Sequence, residues 1–235
     1  MIISNILFLF CMSSCSIWEK KEEIKINKIQ EKKVIKKIST LDKLKKLDFQ
    51  TDNSITKYID NKISYNNKKY IPKNLVNLKW DFIIDTKWNQ KIRKITLKNL
   101  DKLSKDFYNT FWKKLRVVSA YRSYIYQKWI KDRGCPDNLC ANAGYSEHQS
   151  GLAFDLWEAS TKERFEKNQK LKIYFDWMKQ NAFKYWFENS YQNWKKIDWY
   201  AIEPWHWRYV WNNLAKYLHK NKLTFAQFYY NNIKK

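Results

Sequence analysis

A chain of 235 residues that is 44% hydrophobic and 29% charged can bury a sizeable core and is too apolar to be wholly disordered. Its length suits one domain with extra sequence, or two small ones. With 46 basic and 23 acidic residues it carries a net charge of +23, which favours anionic partners.

Residues 1–15, MIISNILFLFCMSSC, form an apolar run too short to span about 30 Å of hydrocarbon as a helix. They read as the h-region of a secretory signal, although a basic n-region is missing. Met12-Ser13-Ser14-Cys15 resembles a lipobox, with Met12 where leucine is usual, so Cys15 is the expected lipid anchor of an exported protein. Residues 16–70 shift to Lys, Ile, Asn and Glu and read as a basic tether. Val34, Ile38, Leu41, Leu44 and Leu47 recur at steps of three and four, so the tether is partly helical. That repeat is too short and irregular to favour a coiled coil.

Tyr70-Ile71-Pro72 marks the expected entry to a domain over 71–235. Residues 89–113 read as a helix, with Ile92, Ile95, Leu100, Leu103, Phe107 and Phe111 on a broad apolar side. Leu115–Ala120 reads as a buried strand, and 123–133 as a helix stopped by Gly134 and Pro136. A strand over 152–157, a helix over 162–183, a strand over 205–210 and closing helices over 212–219 and 224–232 complete the pattern. Helices and short strands mix without βαβ alternation, which points to α+β.

Only three histidines occur, and two lie in polar segments: Ser146-Glu147-His148 leading to Asp155, and Glu203-Pro204-Trp205-His206. His219 reads as a structural or surface residue. Asp155 sits between Phe154 and Leu156 on a strand that otherwise looks buried, and a buried carboxylate needs a cation, a metal or several donors. Together His148, Asp155 and His206 offer two nitrogens and one oxygen to zinc, with the fourth tetrahedral position left for water. Glu203 is three residues before His206, across Pro204, which disfavours a helix interior. On a strand the two would face opposite ways, so a turn at Pro204 must bring them together. Glu203 then reads either as a general base beside a metal-activated water or as a salt-bridge partner.

Ser119-Ala120-Tyr121-Arg122-Ser123, Ser146-Glu147-His148 through Asp155, and Glu203-Pro204-Trp205-His206 together resemble, in order and spacing, the VanY-type zinc D-alanyl-D-alanine carboxypeptidases. The resemblance covers roughly residues 70–230. It implies a small antiparallel sheet flanked by helices, the α+β fold shared by Hedgehog domains and DD-peptidases. It also makes His148, Asp155 and His206 the zinc ligands and Glu203 the general base. Arg122 would hold the substrate's carbonyl oxygen or carboxylate, as a fixed cation does for developing negative charge. Gln127 and Ser146 match positions that help bind the terminal carboxylate. The implied reaction is hydrolysis next to a C-terminal D-alanine of a peptidoglycan stem peptide, D,D- or L,D-specific, by a monomer. An endopeptidase and a non-catalytic wall-binding module are the alternatives; the presence of Glu203, Arg122 and all three ligands favours an enzyme.

Cys135 and Cys140 bracket Pro-Asp-Asn-Leu. Two sulfurs without a second pair make a weak zinc site, and in an exported chain a disulfide is expected. Lysines are scattered along the whole chain and no nucleic-acid motif occurs, so anionic wall polymers or the membrane surface are expected partners ahead of nucleic acid.

The composition holds one anomaly: 3 glycines beside 13 tryptophans, where average usage predicts roughly 16 glycines. Against the family pattern Trp112, Trp186, Trp199 and Trp211 stand where relatives usually place glycine, whereas Trp205 fits as tryptophan. Two explanations are open: genuine tryptophan enrichment, or UGA codons for glycine read as tryptophan. The second expects these four residues at element ends, poorly buried or strained.

Overall fold

The computed structural model describes residues 4–157, 162–193 and 197–234, without the side chains of residues 4–19, 36–39 and 162. It divides into two units, Met1–Leu47 and Asp48–Lys235. The first is one helix, α1 (Ser4–Lys45), free of glycine and proline, with Lys43 and Lys45 in the last turn where cations complement the helix dipole. Ile24, Ile26, Ile29, Val34 and Ile35 along it are exposed. The side chains of the lipobox-like Met12–Cys15 lie outside the described residues. Among the described residues no helix is long and apolar enough to cross a membrane.

The second unit holds two sheets. Strands β1 (Leu75–Asn77) and β3 (Lys91–Arg93) pair antiparallel. The main sheet has five strands in the order β2-β4-β5-β7-β6: β2 (Ile83–Asp85), β4 (Leu115–Ser119), β5 (Ala153–Leu156), β6 (Phe187–Asn189) and β7 (His206–Tyr209). Around them lie α2 (Lys94–Phe111), α3 (Tyr124–Asp132), α4 (Lys162–Lys167), α5 (Gln169–Asn181), α6 (Asn212–Asn221) and α7 (Phe225–Asn232). The expected small antiparallel sheet flanked by helices is present, with one addition: β2 runs parallel to β4 at its edge.

The apolar spacing explains the core. On α2, Leu97, Leu100, Leu103 and Phe107 fall at steps of three and four and are all buried, one face of a 3.6-residue period. Leu115, Val117 and Ser119 alternate inward along β4. Phe154 on β5 meets Phe187 on β6 edge to face at 5.2 Å.

Three boundaries differ from the sequence reading. The compact unit begins at Asp48, so residues 48–70 lie within it. Tyr58 stacks on Tyr229 with ring centroids 4.0 Å apart, and the Tyr230 hydroxyl donates to Asp60 at 2.6 Å. The helix expected from residue 89 starts at Lys94. Gln90 is held instead by Asp85, whose carboxylate accepts from its backbone N–H at 2.9 Å, and its carbonyl accepts from Leu78 N–H at 2.7 Å. The helix expected over 162–183 breaks at Asn168, whose side chain caps α5 by accepting from Leu171 N–H at 3.1 Å.

Candidate active site

Strand pairing brings the candidate residues together. In the antiparallel β5–β7 ladder Asp155 lies directly opposite His206, and across β4–β5 it lies opposite Ser119, beside a register shift between Val117 and Ser119. Such irregularities re-aim side chains next to functional sites. His148 belongs to a 3₁₀ turn over Glu147–Ser150, closed by Gly151 at φ 65°. The positive φ favours glycine there, and a Cβ would also come within 2.9 Å of Leu75 Cδ2, which would have to shift. Glu203 and His206 are joined by a turn in which His206 N–H donates to Glu203 C=O at 3.1 Å, with Pro204 second in the turn. This is the bend at Pro204 that the sequence requires.

The donor atoms of His148, Asp155 and His206 all lie within 4.8 Å of one another. His148 Nδ1 is 2.7 Å from Ala120 C=O and donates to it, which leaves Nε2 as the lone-pair nitrogen. That Nε2 is buried, 3.2 Å from Asp155 Oδ2, and has no hydrogen-bond partner. His206 Nδ1 lies 2.9 Å from Asp155 Oδ1. An unpartnered imidazole nitrogen, a carboxylate and a second imidazole nitrogen converging in this way form a donor set suited to a divalent transition metal. Burial opposes charge on His206, but its hydrogen bonds to Asp155 and Glu147 push its pKa up. Burial would raise Asp155, yet His206, hydrogen-bonded to it through Nδ1, holds it well below the usual carboxylate range. For His148, burial first and the Arg122 charge second depress the pKa to about 4, so it stays a neutral ligand. A histidine ligand binds metal only in its neutral form, so zinc affinity should rise with pH.

Glu203 is 7% exposed. Its N–H donates to Tyr191 C=O at 3.0 Å and its carbonyl also accepts from Asn189 Nδ2 at 2.8 Å, so the backbone is fixed. Among the described residues no hydrogen bond or ion pair ties its carboxylate. Burial raises its pKa to about 8 despite the opposing charges of His206 and Arg122. Arg122 follows β4, with Nη2 3.8 Å from Asp155 Oδ2 and a buried Nε that has no partner.

Gln127 and Ser146 are placed differently. Gln127 is fully buried on α3, and its Nε2 donates to Ala141 C=O at 2.7 Å, pinning the loop that leads into the 3₁₀ turn. Ser146 precedes that turn without capping it through its side chain, and its carbonyl accepts from the Tyr65 hydroxyl at 3.3 Å. His219 is exposed and stacks on Phe183 at 3.7 Å, in keeping with a structural or surface role. Cys135 and Cys140 form a disulfide. Inside its loop Asn138 C=O accepts from Ala201 N–H at 2.7 Å, two residues before Glu203. A loop this short gives about 2 kcal/mol of stabilisation. Cys140→Ser should lower unfolding stability by about that amount in a denaturant titration; an unchanged midpoint would show that the bridge constrains nothing.

Sequence reasoning missed the groups behind His206. Its Nε2 lies 2.9 Å from Glu147 Oε2, Glu147 also accepts from Ser190 Oγ at 2.7 Å, and Arg208 Nη1 donates to the other carboxylate oxygen. A strand period of two puts His206 and Arg208 on one face of β7, a signal legible once β7 is recognised.

Comparisons relate the chain to known proteins. The family model for VanY, D-alanyl-D-alanine carboxypeptidase, matches residues 89–212. YodJ of Bacillus subtilis (strain 168), provisionally named a carboxypeptidase, is 38% identical over 125 residues, 49% of this chain and 45% of its own length. The chain spans less than half the length of the curated relatives it matches. The solved structure of the LdcB LD-carboxypeptidase superposes with a TM-score of 0.65 at 31% identity, covering 78% of this chain and 89% of that one. A vancomycin-resistance D,D-pentapeptidase, VanY, solved in complex with Zn(II), shares the fold at a TM-score of 0.55 and 20% identity, covering 72% and 96% of the two chains.

Proposed function

Because the chain belongs to the VanY D-alanyl-D-alanine carboxypeptidase family, we propose that it is a zinc carboxypeptidase that removes the C-terminal D-alanine of peptidoglycan stem peptides. The observation that carries this reading is the convergence of ligand atoms from His148, Asp155 and His206 within 4.8 Å of one another, with the turn to Glu203 alongside. These three residues would hold the ion. When bound, zinc acts as a Lewis acid toward a carbonyl and brings the pKa of water toward 7.

The chain's own groups supply the rest. Glu203, whose carboxylate has no partner among the described residues, takes a proton from the attacking water and returns it to the leaving amine. Arg122, a fixed cation with an unpartnered Nε, pairs with the oxygen that gains charge or with the terminal carboxylate. Ser146 stays at the mouth of the turn as a candidate contact for that carboxylate. Gln127 acts through the loop it pins.

The test is incubation of the zinc-loaded chain with defined muropeptides and mass analysis of the products. Loss of one alanine from a pentapeptide stem marks D,D-activity. Loss of one alanine from a tetrapeptide stem marks L,D-activity, the specificity named for the 31%-identical LdcB. Internal cleavage would move the assignment to an endopeptidase, and no product at all would leave a binding module.

An exported, envelope-bound protein fits this reading. The disulfide belongs to oxidising compartments, and the charge of +23 suits anionic wall polymers or lipid head groups. Cys15 is our proposed lipid anchor. Fatty-acid labelling of the wild type that disappears in Cys15→Ser is the expected result, and equal labelling of both would overturn it.

A further inference from the structure

The buried cluster behind His206 has a role that the hydrolytic reading leaves unused. Glu147 is 4% exposed and Arg208 fully buried. One Glu147 oxygen accepts from Arg208; the other faces both Ser190 Oγ at 2.7 Å and His206 Nε2 at 2.9 Å. Arg208 is anchored in turn through Nη2 to the Lys57 carbonyl and lies over the Phe225 ring at 5.0 Å. The carboxylate is thus locked from two sides and faces one imidazole nitrogen. In the neutral ring that would bind a metal, an Nε2–H donated to Glu147 puts the lone pair on Nδ1, the nitrogen that faces Asp155. The His148 ring is fixed by the same logic in mirror image, Nδ1–H to Ala120 C=O and Nε2 inward.

We propose that Glu147, clamped by Arg208 and Ser190, is a positioning residue that fixes the ring and tautomer of His206 so that Nδ1 is its metal-binding atom. This rests on the zinc-site reading above. Partners of ligating histidines commonly change metal affinity by about 10–100-fold when removed.

The experiment measures zinc affinity by chelator competition, with circular dichroism and melting of the metal-free proteins alongside. Glu147→Ala should stay folded and lose about 10–100-fold in zinc affinity. Glu147→Gln keeps an acceptor oxygen and should recover most of the loss. Should Glu147→Ala fail to fold, Ser190→Ala removes one of the two clamps and should weaken zinc binding with little change in metal-free melting. Variants that melt lower yet bind zinc as tightly as the wild type would reduce Glu147 to a structural role and overturn the proposal. A wild-type chain that binds no zinc would instead sink the metal-site reading itself.

A second inference stands on backbone conformation alone. Eight non-glycine residues among those described have positive φ, and six are tryptophans: Trp88 (57°), Trp112 (53°), Trp157 (61°), Trp186 (73°), Trp199 (70°) and Trp211 (82°). Positive φ is uncommon outside glycine and an outlier for a bulky side chain. Trp112 and Trp186 occupy left-handed C-cap positions after α2 and after the 3₁₀ turn Ala182–Tyr185, where glycine is the usual residue. Trp211, at φ 82° and ψ 152°, lies in a region essentially restricted to glycine. Trp88 and Trp112 are 86% and 75% exposed, so packing does not explain those indoles. The four positions singled out from the sequence are all in this set, and Trp205 is not.

We infer that positions 88, 112, 157, 186, 199 and 211 are glycines in the native protein, encoded by UGA in a lineage that reads this codon as glycine. The codons and the peptide masses of the protein from its native cells test this directly. UGA codons with glycine-mass peptides are expected; UGG codons or tryptophan-mass peptides would end the idea. As an independent readout, Trp88→Gly, Trp112→Gly and Trp211→Gly should each raise the melting temperature of the chain, by about 2–4 °C for every kcal/mol of relieved strain. Lower melting temperatures in all three would count against it.

Discussion

Glu203→Gln is expected to bind zinc like the wild type and to hydrolyse stem peptides about 10²–10⁴-fold more slowly. Glutamine keeps the volume of the side chain and leaves the turn to His206 and the bond to Tyr191 C=O untouched, since both are made by the backbone. What disappears is a carboxylate able to accept and return a proton. The pH profile carries a further sign. A base must be deprotonated, so wild-type activity rises as pH climbs through the pKa of Glu203. Burial sets that value at about 8 without a metal, and a nearby divalent cation lowers it. The rising limb therefore lies below pH 8 and should vanish in Glu203→Gln. For stability the sign is opposite. The folded-state pKa exceeds the ordinary 4.5, so the metal-free wild type loses this contribution to stability from about pH 4.5 up to 8, a contribution the glutamine variant does not have. Melting curves of the two metal-free proteins at low and high pH check this. Full activity in Glu203→Gln would remove it as the base.

How much of this was legible in the sequence depended on how local each signal was. His148, Asp155, Glu203 and His206 stand in short polar segments set against apolar strands, so their types and spacing were readable, down to the bend that Pro204 imposes. The α2 stripe and the β4 alternation were readable for the same reason. Residues 48–70 were not, because they join the compact unit through Tyr58 and Tyr65 and through backbone groups such as Lys57 C=O, which leave no periodic apolar pattern. Strands β1, β2, β3 and β6 have three residues each, below the length at which alternation can be distinguished from a turn. Glu147 and Arg208 meet across 61 positions of sequence, and only the register of β7 against β5 reveals that they share a cluster. Gln127 shows the opposite limit: its place in a motif was readable, but the burial that turns its amide toward Ala141 was not.

Asp155→Asn should cost more in zinc affinity than the about 10–100-fold lost with an outer partner, and stem-peptide hydrolysis should fall to the level of the metal-free chain. Asparagine occupies the same volume opposite His206 and Ser119, so the sheet should persist. The charge it removes is the one that both histidines and Arg122 face. In the wild type His206 holds the Asp155 pKa well below the usual range against the effect of burial. That contribution to stability is present above the ordinary value of 3.8 and is lost as pH falls through the folded-state pKa. The asparagine variant lacks it at neutral pH, where the metal-free protein should melt lower. Zinc separates this electrostatic loss from the loss of a ligand. A ligand at 100 times its Kd stabilises the folded state by about 2.7 kcal/mol, or about 5–10 °C for a chain of this size. The wild type should gain that shift when zinc is added, and Asp155→Asn should gain almost none at the same concentration. An equal zinc-dependent shift in both proteins would mean that the ion is held elsewhere, and the assignment of Asp155 as a ligand would fall with it.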